Sequence, residues 1–97
     1  MLVTTSVTPS ILVPQNRLRK SILIQNNDAS ISVYVKRERG NTATVSASDY
    51  DFRVGPGAAI AVNSVVDGLE AIQDRYTVVA VSGAPVIAVF ETEDVRR

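Results

Sequence analysis

Short runs of alternating apolar and polar residues, separated by turn-forming residues, constrain this chain more than any other feature. The clearest runs span residues 31–36 and 49–54, where β-branched or aromatic side chains occupy every second position. A period of two carried by such side chains is typical of a strand with one buried face. Further strands are predicted over residues 22–24, 60–62, 77–81 and 86–90.

Turn-forming residues punctuate these runs at five points: Asn26-Asn27-Asp28, Arg39-Gly40-Asn41, Gly55-Pro56-Gly57, Asp67-Gly68 and Ser82-Gly83-Ala84-Pro85. Asn and Asp tolerate positive φ, and Pro cannot donate to a strand ladder. We therefore expect residues 26–28 to close a hairpin between the strands on either side. Closely spaced strands with such turns predict an all-β fold, a compact antiparallel β-sandwich or small jelly-roll-like barrel of about 7–9 short strands.

A chain of 97 residues is long enough for one domain. Residues 15–97 are predicted to form a single β-sandwich domain. Residues 1–14 are rich in Thr and Val and are interrupted by Pro9 and Pro14, so we expect an N-terminal extended arm or an edge strand. Residues 65–75 form the one segment with helical character, but Gly68 lies inside it, so at most one helical turn is expected there and a short strand over residues 69–73 is favoured.

The composition lacks the residue types on which most catalysis and metal binding depend. Cysteine and histidine are both absent, which excludes disulfides, thiolate nucleophiles and the commonest general base and metal ligand. We interpret Asp49 and Asp51, and the acidic cluster of Glu91, Glu93 and Asp94, as solvated carboxylates. The sequence therefore predicts a non-enzymatic protein with no catalytic residue, no cofactor and no metal.

The charge balance disfavours nucleic acid as a partner. Ten basic and ten acidic residues give a formal net charge of zero, whereas nucleic-acid binders typically carry a basic excess. No signal peptide and no apolar stretch of the ~20 residues needed to span a bilayer are found, so no membrane partner is expected. A net charge of zero gives a free monomer little electrostatic protection against aggregation, which favours a protein that works within an assembly.

Basic residues cluster at the ends of two predicted strands. If these strands pair as a hairpin about Asn27, their basic ends lie together, either as a patch for an acidic protein surface or phosphate, or as a solubilising sheet end. The predicted partner-contact residues combine this patch with the arm, and they are Val3, Thr5, Arg17, Arg19, Lys20, Lys36, Arg37 and Arg39.

Two further runs, residues 77–81 and 86–90, are apolar on both strand faces. A strand of this kind needs cover on both sides, and a neighbouring subunit is one source of it. The predicted self-association residues are Val79, Val81, Ile87 and Val89.

The segment 13–27, VPQNRLRKSILIQNN, resembles the opening of a group of small virion proteins of tailed bacteriophages. In that group a Pro, an Asn and a basic residue precede an apolar strand that ends in Gln-Asn. A second strand carries a Val-Tyr pair, as at residues 33–35, and a Pro-Gly turn introduces another strand, as at residues 55–57. A short segment resembling residues 69–72 and a Val-rich final hairpin complete the pattern, which covers residues 13–91.

This resemblance implies a compact β-sandwich that decorates a phage capsid as a cement protein. Such proteins lie on the outer capsid surface, often as homotrimers, and bridge neighbouring subunits of the major capsid protein. We therefore expect a structural virion protein, made in the host cytoplasm, whose partners are the major capsid protein and further copies of itself, with a homotrimer favoured. Two alternatives stay open: a head–tail or tail accessory (adaptor) protein, and a carbohydrate-binding module for the host surface.

Overall fold

A computed structural model describes residues 1–16, 19–38, 42–63 and 74–93, and these ranges contain eight β-strands and no helix. The strands are β1 (Leu2–Thr4), β2 (Ser10–Val13), β3 (Arg19–Asn26), β4 (Val33–Arg37), β5 (Phe52–Val54), β6 (Ala59–Asn63), β7 (Tyr76–Ala80) and β8 (Val86–Glu93). The predicted all-β class is confirmed. The turns expected at residues 39–41 and 67–68 and the strand expected over residues 69–73 lie outside the described residues.

The described strands form two four-stranded antiparallel sheets. Sheet A has the order β1-β8-β3-β6, and sheet B has the order β2-β7-β4-β5. Strands therefore pair from the two ends of the chain inward: β1 with β8, β2 with β7, β3 with β6 and β4 with β5. This ribbon is rolled so that β3 also pairs with β8 and β4 with β7, which is the strand order of a jelly roll.

The core consists of the inward-facing side chains of the two sheets. In β4, Val33 and Val35 are buried in the core while Tyr34 faces outward, as the alternation of this run predicts. The core residues are mostly β-branched: Leu12, Val13, Ile22, Ile24, Val33, Val35, Val54, Val62, Tyr76, Val78, Ala80, Ile87 and Val89.

The turn at residues 26–28 crosses between the sheets. Since β3 belongs to sheet A and β4 to sheet B, the hairpin expected about Asn27 is wrong. The buried amide of Asn26 explains the crossing, because its Nδ2 donates to the carbonyls of Ile31 (2.7 Å) and Val54 (3.0 Å). Its Oδ1 accepts from the amide of Asp28 at 3.0 Å, which forms an Asx turn with ordinary backbone angles.

The N-terminal segment is built into both sheets. β1 lies at one edge of sheet A and β2 at one edge of sheet B. Between them, the buried Thr5 hydroxyl donates to the carbonyl of Pro85 at 2.7 Å, and the amide of Ala80 donates to the carbonyl of Ser6 at 2.8 Å. The extended arm expected from the sequence is therefore not confirmed.

Replacing Asn26 with Ala is expected to lower the free energy of unfolding by about 2–4 kcal/mol, because the change leaves two carbonyls without their donor. Asn27→Ala is the matched control, since Asn27 is exposed, and it should change stability by less than about 0.5 kcal/mol. Urea unfolding of the full chain measures both values. Equal stability of the two variants would contradict this account of the crossing.

Candidate interaction surfaces

The segment between β4 and β5 folds back over the outer face of sheet B. We call its described residues 42–51 the overlay loop. Val45 in this loop is fully buried and lines one groove with Tyr34 and Val79, while the ring of Tyr50 lies 4.6 Å from that of Tyr34. The outer face of β7 is therefore covered by the chain itself.

Two carboxylates anchor the overlay loop to β4. Lys36 Nζ donates to Asp49 Oδ2 at 2.6 Å and to Thr44 Oγ1 at 3.0 Å, and the hydrogen bond to Asp49 raises the pKa of Lys36. Asp51 Oδ2 accepts from the backbone amide of Arg37 at 2.8 Å. The two aspartates, which the sequence places two residues apart, therefore serve separate hydrogen bonds.

Glu38 ties the same loop to β7. Its carboxylate accepts from the amide of Thr44 at 3.1 Å, from the Thr44 hydroxyl at 2.9 Å and from the hydroxyl of Thr77. Burial acts to raise the pKa of Glu38, but the hydrogen bonds from Thr77 and Thr44 together outweigh it and hold the pKa below its usual value. The charged form of Glu38 is thus the form that the loop requires.

Arg19 lies inside the sandwich. The pairing of β3 with β8 shifts register between Arg19 and Ser21. This bulge interrupts the alternation of side chains along β3, and Arg19 therefore points into the sandwich. Its guanidinium donates to Glu91 at 2.8 Å and to the carbonyls of Asp74 (3.0 Å) and Pro14 (2.8 Å). With an exposed fraction of 2%, Arg19 joins both sheets from within.

Several residues predicted to contact a partner instead make contacts within the chain. Thr5 and Arg19 are buried and have no exposed group to offer a partner, and Val3 packs against the core. Lys36 is engaged by the overlay loop. Arg17 and Arg39 lie outside the described residues.

Lys20 and Arg37 keep exposed basic side chains. Arg37 Nε lies 3.7 Å from the Asp74 carboxylate, and the Asp74 carbonyl accepts from Arg19. The start of β3 and the end of β4 thus meet at one end of the sandwich, although they belong to opposite sheets. Neighbouring carboxylates partly neutralise this basic end.

Three of the four predicted self-association residues are buried within one chain. Ile87 and Val89 belong to the core, and Val79 lies under the overlay loop. Val81 alone of the four is exposed. The apolar character of these two strands therefore reflects mainly their central positions in the two sheets.

The central part of the outer face of sheet A is mostly apolar, and the exposed Lys20, at the start of β3, lies at its margin. Leu2 is 69% exposed and Phe90 54% exposed, and Phe90, Leu23 and Ala61 form one row across three strands. We define the sheet A face by its seven central residues: Leu2, Leu23, Gln25, Ala59, Ala61, Ala88 and Phe90.

The groove beneath the overlay loop has a volume of about 320 Å³. Its lining residues are mostly apolar, with Tyr34 and Ser46 among them. This volume lies at the lower end of the range of small-molecule sites.

The sequence matches no protein-family model, and no curated protein or solved structure matches it. In the described ranges, no group of three or more Asp, Glu, His or Cys side chains is arranged to hold a metal ion. No helix in the described part of the chain is long and apolar enough to cross a membrane.

Replacing Arg19 with Met is expected to lower the free energy of unfolding by about 2–4 kcal/mol, because Glu91 and two carbonyls lose their donor. Lys20→Met is the control, since it removes an exposed charge from the neighbouring position and should cost less than about 0.5 kcal/mol. Chemical denaturation of both variants tests this. A stable Arg19→Met variant would show that the buried arginine is replaceable by packing alone.

The overlay loop is expected to loosen in acid. Because the pKa of Glu38 is lowered in the folded state, its contribution is present above the ordinary value of 4.5 and is lost as the pH falls through the lower folded value. The Thr44 amide resonance should therefore titrate with a midpoint below pH 4.5. Glu38→Gln should abolish this titration, and a midpoint at or above the ordinary value would contradict the assignment.

Proposed function

We propose that this chain is a non-enzymatic structural protein of a tailed-phage virion, which decorates the capsid and stabilises it by bridging subunits of the major capsid protein. The observation that carries the proposal is a corner of the fold at which two motifs of the phage-like pattern meet. These motifs are the strand end at residues 24–27 and the turn at residues 55–57.

The two motifs bond to each other directly. The amide of Gly57 donates to the carbonyl of Asn26 at 3.0 Å, and the amide of Asn26 donates to the carbonyl of Ala58 at 2.9 Å. Gly57 has a φ of +72°, a conformation that glycine adopts without strain. The residues that resemble the phage proteins are thus the ones that direct the chain from one sheet to the other, which supports extending the resemblance to the whole domain.

The architecture is compatible with this role. Jelly rolls form viral shell proteins and lectin domains, although a fold by itself does not assign a function. Of the two, the resemblance in the sequence favours the shell protein. Tyr76 is fully buried, and the ring of Tyr34 lies 4.6 Å from that of Tyr50. A sugar-binding site commonly uses an open aromatic ring, and Tyr50 and Phe90 are the exposed aromatic residues of the described ranges.

A decoration protein also needs a rigid body and a contact surface. The Arg19 hydrogen bonds and the anchored overlay loop supply rigidity, because they join segments that are distant in the sequence. Lys20 and Arg37, at one end of the sandwich, supply exposed cations for an acidic surface of the shell, and Arg37 would share its charge between that surface and the Asp74 carboxylate. Several such contacts per assembly hold more firmly than one.

The test is co-sedimentation of the purified full chain with capsids of the phage that encodes it, prepared without this protein. We expect binding and a higher temperature of capsid disruption. The double variant Lys20→Glu, Arg37→Glu should bind about tenfold more weakly, which corresponds to about 1.4 kcal/mol. The control is Arg53→Glu, which changes an exposed arginine on β5 and should bind like the unmodified chain.

Absence of binding by the unmodified chain would overturn the proposal. Binding confined to the portal or tail, seen by electron microscopy of labelled protein, would instead support the head–tail accessory alternative. Equal weakening by the Arg53 control would show that overall charge, and not the end that carries Lys20 and Arg37, governs the contact.

A further inference from the structure

The two outer faces of this sandwich differ in whether the chain itself covers them. Sheet B is covered by the overlay loop, whose Val45 is fully buried. The sheet A face instead leaves Leu2, Leu23 and Phe90 exposed. Contiguous apolar patches of a few hundred Å² on a protein surface are often functional.

The distribution of large and small side chains across this face is asymmetric. One register row contains, in strand order, Leu2, Ala88, Gln25 and Ala59. A two-fold axis parallel to the strands, passing between β8 and β3, exchanges the two ends of this row. Each large side chain then meets a small one: Leu2 meets Ala59, and Gln25 meets Ala88.

The adjacent row places apolar anchors beside the same axis. Phe90 and Leu23 are register partners on the two central strands. The two-fold rotation brings Phe90 of one copy over Leu23 of the other. The pair buries an aromatic side chain at the centre of the contact, the position at which interfaces concentrate their binding energy.

We infer that the sheet A face is an interface at which two copies of this chain pack face to face. A charged partner would have to desolvate its charges against the seven central side chains, none of which carries a counter-charge, whereas a second copy brings the same uncharged residues. A two-fold contact is also self-complementary, so one face is sufficient to build it. The two sheets would pack about 10 Å apart, as sheets do inside a β-sandwich.

The area of the sheet A face limits the affinity of the dimer. Four strands about 4.8 Å apart and about five residues long give a flat area on the order of 300 Å² per copy. Stable interfaces bury roughly 800 Å² per partner, so this dimer is weak and forms at high local concentration. The inference goes beyond the capsid-binding proposal and does not depend on it.

Sedimentation velocity of the full chain from about 10 μM to about 1 mM, a range that covers weak association, tests the inference. We expect a shift from monomer to dimer with concentration. Phe90→Asp should weaken association at least tenfold. Val81→Asp is the matched control, because Val81 is 55% exposed but lies outside this face, and it should associate like the unmodified chain.

A charge-complementation experiment tests the register itself. Leu2→Lys and Ala59→Glu should each weaken self-association, and an equimolar mixture of the two variants should restore it, because the new lysine and glutamate face each other across the axis. Leu2 lies at the sheet edge and is highly exposed, so Leu2→Lys remains informative if Phe90→Asp fails to fold, which circular dichroism and thermal unfolding would reveal.

Three results would overturn the inference: a monomer at all concentrations, a trimer or larger ring, or a dimer that Phe90→Asp and Leu2→Lys leave intact. None of these readouts involves capsids. Failure of this interface and failure of the capsid-binding proposal are therefore distinguishable.

Discussion

The buried side-chain amide of Asn26 is the constraint on which the topology depends. A domain of this size has a small core and little stability to spare, so a buried amide must have its hydrogen bonds satisfied. Asn26 reaches the carbonyls of Ile31 and Val54, and both carbonyls belong to the path of the chain into and out of sheet B. Once these bonds form, the chain cannot turn back beside β3, and the position next to β3 is taken by β6 and β8.

The charged side chains of this electrically neutral chain are likewise used for hydrogen bonds within the domain. Lys36 and Glu38 hold the overlay loop, and Arg19 links β3 to β8 and to the segments that flank β2 and β7. Lys36 and Arg19 are hydrogen-bonded as well as paired, and Glu38 is hydrogen-bonded to Thr44 and Thr77. Their use inside the chain leaves the two outer faces chemically different, one closed by a polar-anchored loop and one apolar.

The sequence predicted the fold class well because alternation is a local signal, and β4 follows it residue by residue. The errors arise where a distant contact decides. The sequence around Asn26 gives no sign that its side-chain amide donates to the distant carbonyl of Val54. The turn at residues 26–28 was therefore predicted to be a hairpin. Arg19 was assigned to the surface because alternation has no sign of the one-residue bulge that turns it inward. The acidic partner Glu91 gave no signal either, since it is distant in the sequence.

The self-association residues illustrate a subtler limit. Apolar character on both faces of β7 and β8 was interpreted as a subunit contact, but β7 is covered on one side by the core and on the other by the overlay loop. In β8 the inward residues Ile87 and Val89 fill the core, and the residues of opposite parity, Ala88 and Phe90, lie on the sheet A face. The composition of a strand thus indicates that a face needs cover, and only the topology shows which face the chain itself leaves uncovered. A pair formed across sheet A would also carry two copies of the basic end, and two weak contacts on one rigid body raise the effective affinity for a repeating surface such as a capsid.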